Sequence, residues 1–236
     1  MKITIILTGI LIFGLFSEVN LAETDDRGVK SELVKDEPFP NLLNFKINYV
    51  YRSGEKGNFK DFNKGSKLNS GDHYKLMFEP SENGYVYIFQ IDSSNKIFRL
   101  FPTIDFKNSD TNNVNAVTKD QKYFVPAENW SFKLDKTTGK ETIYFIVTNQ
   151  PDINLEKRYK TMLAEQKTRS VSLATKDKWH NTMKSRGPEI DLVNDETKPE
   201  PPLIWQENGQ QFSAEKSTYL KDMCEGCVYI VEFEHR

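Results

Sequence analysis

The stretch Leu68–Pro102, LNSGDHYKLMFEPSENGYVYIFQIDSSNKIFRLFP, leaves this chain few folds to choose from. Residues 72–79 alternate, with Tyr74, Leu76 and Phe78 on one side and His73, Lys75 and Glu79 on the other. That is the period of a strand with one face in water. Residues 84–91 are apolar on both faces, Tyr85, Tyr87, Phe89 and Ile91 against Val86 and Ile88, as in a central strand covered on both sides. The small polar run Asp92 to Lys96 predicts a hairpin turn into a third strand, Ile97 to Phe101. Pro102 has no N–H to donate and ends it. Three strands joined by two tight turns specify a fold and no chemistry.

The flanking segments extend the same pattern. Asn44 to Tyr51 alternates as a first strand, and Arg52 to Lys67 reads as loop with a short strand at Phe59 to Phe62. Tyr123 to Pro126 is a short strand closed by proline. Trp130, Phe132 and Leu134 alternate with Ser131 and Lys133, so their aromatic face is expected in the core. Glu141 to Thr148 is apolar on both faces and predicts a second central strand. The period then changes. Leu155, Tyr159, Met162 and Leu163 stand at helical spacing between Asp152 and about Lys167, with Asp152 or Asn154 as cap. A second helix falls within Ala174 to Met183, with Trp179 and Met183 on one side. Residues 188–202, with Pro188, Pro199, Pro201 and Pro202 among acidic residues, read as a linker or surface excursion.

Strand patterns resume at Gln210 to Leu220 and Val228 to His235, the last with Tyr229, Val231 and Phe233 inward and Glu232 and Glu234 outward. So apolar a strand does not stand alone, since an isolated hairpin is marginal in water. It is expected to return to the sheet begun at Asn44, which makes the helices an insertion. The reading is a mainly β chain: an antiparallel β-sandwich, immunoglobulin-like in outline, with a helical insertion before the last strands. One domain spans 44–236, with the helical and Pro-rich insertion at about 152–204.

Several pieces recur in an order that resembles a known family. Leu68 with Ser70-Gly71-Asp72, Gly84 to Phe89 with Asp92, and Leu100-Phe101-Pro102 come first. Asn113-Val114, Val125-Pro126 and Gly139-Lys140-Glu141 follow. Together they resemble the bacterial family catalogued as domain of unknown function 4384, over roughly residues 60–150. The Gly that often follows the Asn-x-Val element is replaced here by Asn115-Ala116. The resemblance implies a β-rich module of cell-envelope and multidomain bacterial proteins and carries over no catalytic residue.

Residues 1–22 have a different character. Lys2 precedes an uncharged apolar run, Ile3 to Phe16, whose length suits a signal-peptide core and falls short of a membrane span. Cleavage is expected after Ala22, with Ser17 as another end. No Cys lies nearby to take a lipid. Residues 23–43 form a polar leader with Pro38 and Pro40. The mature part is therefore expected to be periplasmic or secreted, with no stable membrane span after cleavage. A net charge of −2 with interspersed Lys and Glu argues against a nucleic-acid binder.

Few residues invite chemistry. Cys224 and Cys227, the only cysteines, are spaced Cys-Glu-Gly-Cys, and in an oxidising compartment a disulfide is the expected state. Gly226 supplies the freedom that so short a loop requires. Thiol–disulfide exchange needs a stabilised thiolate, and Glu225 acts against one. Metal binding would need two further ligands, His235 being the nearest candidate. The loop Asp105 to Asp120 offers Asp105, Asp110 and Asn112 as oxygen ligands, without the spacing of a calcium loop. His73, His180 and His235 have no nucleophile partner in sequence, and no phosphate loop is present. Trp179 and Trp205 are the candidates for partner contact. The expectation is an exported, non-catalytic module without cofactor or metal, binding another envelope protein or a peptide or glycan. The alternatives are a small thiol–disulfide oxidoreductase using Cys224 and Cys227, or a hydrolase with an unidentified site.

Overall fold

A computed structural model describes residues 43–103, 114–168, 173–186, 202–214 and 217–236. Alternation decides its first sheet. Strand β1 (Leu43–Arg52) pairs antiparallel along its length with β4 (His73–Pro80), Tyr49 opposite Leu76. On its other edge β1 takes the short β2 (Lys60–Asp61) and β12 (Thr218–Met223). Beyond β4 lie β7 (Tyr123–Val125) and the two-residue β8 (Phe132–Lys133).

The second sheet runs in the order β3 (Lys67–Leu68), β13 (Val228–His235), β9 (Gly139–Thr148), β5 (Tyr85–Ile91), β6 (Ile97–Phe101). The two strands that read as apolar on both faces, β5 and β9, sit side by side inside it. Between the sheets lies the main core, built from the inward rows of β1, β4, β5, β9 and β13. Each apolar side chain removed from water there contributes about 1.5–3 kcal/mol before entropy is counted.

Both outer faces are covered as well. Helices α1 (Ile153–Thr168) and α2 (Leu173–Lys184) place Leu155, Tyr159, Trp179 and Met183 against Tyr87, Phe89, Tyr144 and Ile146 of the second sheet. Asp152 caps α1 by accepting the Leu155 N–H at 2.8 Å. From α1, Gln166 and Tyr159 accept the Ile97 and Arg99 N–H groups at 2.9 and 3.2 Å, which closes part of the β6 edge. On the first sheet's outer face packs a hairpin of β10 (Leu203–Glu207) and β11 (Gln210–Ala214). Its turn, Asn208-Gly209, has φ of 52° and 78°, the left-handed pair of a type I′ hairpin. The order of layers is helices, second sheet, first sheet, hairpin.

The mainly β, antiparallel sandwich is therefore observed, with four corrections. Strand β4 and strand β5 are not hairpin partners: residues 81–84 carry the chain from one sheet to the other. The outer row of β4 is not wet, because the β10–β11 hairpin covers it and Lys75 is wholly buried. The last strand, β13, lies beside β9 in the second sheet, and β12 is the strand that returns to β1. Trp130 is not core; it is 59% exposed, since only Phe132 and Lys133 of that segment join a ladder.

Candidate functional site

At one end of the sandwich the inward rows turn from apolar to polar. Tyr74 precedes Leu76 and Phe78 on β4, and Gln90 follows Val86 and Ile88 on β5. Glu141 precedes Ile143 and Phe145 on β9, and His235 follows Val231 and Phe233 on β13. Antiparallel register brings these ends together. All four side chains are buried and joined. Tyr74 O–H donates to Gln90 Oε1, and Gln90 Nε2 donates to Glu141 Oε2 at 2.9 Å. Glu141 Oε1 accepts the Ser93 N–H at 3.1 Å and lies 3.5 Å from His235 Nδ1. Burial raises the Glu141 pKa above its ordinary value, opposed by the Gln90 and Ser93 hydrogen bonds. Burial also pushes the Tyr74 phenol well up, so it stays a proton donor.

A cleft of about 330 Å³ opens on this floor, between β6 and β8. Its walls carry Phe98, Arg99 and Leu100 on one side and Phe132, Lys133 and Asp135 on the other. Phe98 is 41% exposed, although its strand lies in a sheet.

From the far side of His235, Ser70 Oγ stands 3.1 Å from Nε2. A serine, a histidine and a carboxylate thus converge, in the order that nucleophile activation uses. Two features set the arrangement apart from an acyl-transfer centre. The His235–Glu141 separation is beyond hydrogen-bond range. Every backbone N–H of the turn Asn69 to Asp72 is already engaged, with Asp72 Oδ2, Arg236 O, Leu134 O and Asn69 O in turn, so the turn offers no donor to an oxyanion.

A second, larger cavity of about 1060 Å³ lies between the segment before β8 and the β10–β11 turn. Beneath it is a buried ion cluster. Glu207 accepts from Arg52 Nη2 at 2.6 Å and from Lys75 Nζ at 2.7 Å. Lys75 also donates to the Glu128 carbonyl at 2.5 Å. Phe59, Trp205 and Phe212 enclose the two cations, with Arg52 4.7 Å from the Phe59 ring centre. Burial lowers the Lys75 pKa and Glu207 opposes that fall. His73 Nδ1 lies 3.1 Å from Ser131 Oγ, and burial, Arg52 and Lys133 lower its pKa, favouring the neutral ring.

Of the residues singled out from sequence, Cys224 and Cys227 form the expected disulfide. It lies in the turn between β12 and β13, with Gly226 at φ 73°. Gly226 N–H donates to Val147 O at 2.8 Å and Asn149 N–H to Glu225 Oε2 at 2.6 Å, so the turn is stitched to the end of β9. Trp179 and Trp205 are corrected as surface contacts: at 1% and 2% exposure they fill the helix–sheet and hairpin–sheet cores. Neither ring is offered to a partner in this fold. Asp105, Asp110 and Asn112 lie outside the described residues. Among the described residues no group of three His, Cys, Asp or Glu side chains could hold a metal, and no helix is long and apolar enough to cross a membrane. Sequence reading missed Gln90, Glu141 and His235 as one site. The available signal was four alternating rows that each end on a polar residue.

Residues 67–151, from β3 to just past β9, match the family described as Domain of unknown function (DUF4384). That segment belongs to the DUF4384 family. It supplies Tyr74, Gln90 and Glu141 of the polar floor, whereas His235 comes from outside it. The DUF4384 segment likewise contributes His73 and Trp130 to the larger cavity, whose Arg52 and Glu207 lie beyond its bounds. No curated protein and no solved structure matches the chain.

Proposed function

We propose that this chain is an exported, non-catalytic β-sandwich module that seats a segment of another cell-envelope protein in the cleft between β6 and β8. The observation that carries this reading is the cleft itself. It offers an exposed aromatic ring, Phe98, beside charges of both signs, Arg99 and Lys133 against Asp92 and Asp135. Its volume is enough to seat an anchoring side chain. The polar floor has its groups turned to one another, which favours shape and orientation over reaction. Export is supported by the apolar run at residues 3–16 and by a disulfide of the kind that persists in oxidising compartments.

A photo-crosslinking residue at position 98 of the exported chain tests this. One envelope protein is expected to be captured from position 98 and lost when Arg99→Glu is added. The same residue at Lys157, exposed on α1, is expected to capture none. Equal capture from both positions, or none from position 98, overturns the reading.

A further inference from the structure

The larger cavity has its own construction, independent of the cleft. One wall is a tight turn in which Trp130 N–H donates to Ala127 O at 3.2 Å, leaving the indole exposed. The other wall is the Asn208-Gly209 turn. Lys75 ties the two walls together from below, since its ammonium holds Glu128 O of the first turn and the Glu207 carboxylate that opens the second. Arg52, 93% buried by its 7% exposure, braces Glu207 from the floor. Three buried charges held in two ion pairs are an expensive foundation for a solvated loop. They are a reasonable one for a surface that must hold its shape, because rotamers locked from beneath lose little further freedom on binding.

The chemistry of the lining narrows the ligand. Asn129, Ser131, Asn208 and Gln210 give amide and hydroxyl groups that both donate and accept. The formal charges cancel, Arg52 and Lys56 against Glu55 and Glu207, so neither a phosphate nor a polycation is favoured. An exposed tryptophan supplies a flat apolar face with one polar edge. A pyranose ring matches this combination: C–H groups on one face to lie on the indole, and hydroxyls around the rim for planar amides. We propose that the cavity between Trp130 and the Asn208-Gly209 turn is a saccharide-binding site for an uncharged or N-acetylated oligosaccharide, with Trp130 as its stacking platform and Lys75 as a positioning residue. Neutral His73, with Nε2 lacking a hydrogen-bond partner among the described residues, adds a further polar group beside Ser131.

The test uses tryptophan emission. The chain has three tryptophans, and Trp179 and Trp205 are buried, so Trp130 is the one a ligand can desolvate. The purified chain is titrated with the trisaccharides of β-1,4-linked N-acetylglucosamine, cellotriose and maltotriose. At least one is expected to give a saturable blue shift below about 10 mM, the range of weak binding through one subsite. Trp130→Ala is expected to weaken that binding, followed by calorimetry, about tenfold or more with thermal melting unchanged. Phe98→Ala, in the other cleft, is expected to leave it as it was, which separates this site from the one proposed for a protein segment. Absence of a shift with all three sugars, or equal affinity in Trp130→Ala, overturns the proposal. Blue shift with a tripeptide but with no sugar overturns it too, in favour of a peptide.

Discussion

The Lys75 ammonium lies 2.7 Å from the Glu207 carboxylate, a contact across 132 residues of sequence in which neither side chain reaches water. Glu207 serves two buried cations at once, because Arg52 takes its other oxygen. Removing the shared acid and removing one of the two cations therefore differ. Glu207→Gln leaves two buried charges facing a neutral amide and is expected to destabilise by about 3–5 kcal/mol. Lys75→Met leaves Glu207 paired with Arg52 and fills much the same volume, at an expected cost of about 1–2 kcal/mol. Urea unfolding of the two variants checks the order. Equal losses would mean that the cluster does not act through its carboxylate.

The three tryptophans are expected to separate sharply on substitution. Trp179→Ala and Trp205→Ala each open a cavity in a packed layer and are expected to cost about 3–5 kcal/mol. Trp130→Ala, at an exposed turn, is expected to stay within about 0.5 kcal/mol. Phe at 179 or 205 is expected to recover most of the loss. Neither indole N–H has a hydrogen-bond partner among the described residues, so the ring and not the polar edge is what packs. Denaturant midpoints of the five variants decide it.

These two cases also mark how far local pattern reaches. Alternation identifies β1, β4 and β13, because period 2 with one apolar row is what burial on one side requires, and runs apolar on both faces identify β5 and β9 as strands covered on both sides. Alternation assigns Tyr74, Leu76 and Phe78 to the core correctly. It places Lys75 in water, since nothing near a lysine in sequence records that a hairpin 132 residues on will cover it. Part of that hairpin was legible: Asn208-Gly209 between Leu203-x-Trp205 and Phe212-x-Ala214 is a strong turn signal, overshadowed by the prolines before it. The four-residue connection between β4 and β5 looks alike whether it closes a hairpin or crosses between sheets, so sheet membership needed the structure. Glu141 and His235 show the same limit. Each is one step beyond an apolar row, and only strand order makes them neighbours.

Glu141 gives the sandwich a pH dependence whose sign is fixed by burial. Its folded pKa lies above the ordinary value of 4.5, so the folded chain holds this proton more tightly than the unfolded one. The resulting stability is fully present below the unfolded pKa and is lost as pH rises through the folded pKa. Facing it are Gln90, the Ser93 N–H, Asp92 and His235. Glu141→Gln mimics the protonated acid and removes this titration. Its stability relative to the parent is expected to increase as pH rises from about 4 to 7. Paired urea curves across that range measure the difference; a difference that falls with pH would reverse the assignment.

The Cys224–Cys227 bond closes a loop of minimal length, so its effect on the unfolded chain is small. Chain entropy for a loop that short gives about 2 kcal/mol. Cys224→Ser with Cys227→Ser is expected to lose about that much while circular dichroism stays unchanged, because Gly226 and Glu225 still join the turn to β9. Insulin reduction by the purified chain is expected to stay at background. The pair sits in a turn between two strands, with the Glu225 carboxylate beside it acting against a thiolate. Turnover above background would restore the oxidoreductase reading.

Ser70 tests whether the convergence with His235 and Glu141 is reactive or only structural. Activation of a serine needs a base within reach, a carboxylate to orient that base and donors for the oxyanion. The first is met at 3.1 Å, the second is stretched to 3.5 Å, and the third is consumed by the turn's own hydrogen bonds. Missing oxyanion donors cost about 10²–10³ in rate where measured one at a time, enough to hold an exposed serine near the reactivity of any other. A fluorophosphonate probe is therefore expected to leave Ser70 unlabelled. Ser70→Ala is expected to shift stability by no more than about 1 kcal/mol, the value of one partly exposed hydrogen bond. Stoichiometric labelling that vanishes in Ser70→Ala, and weakens in Glu141→Gln, would turn the same three residues from a brace at the sandwich end into a catalytic centre.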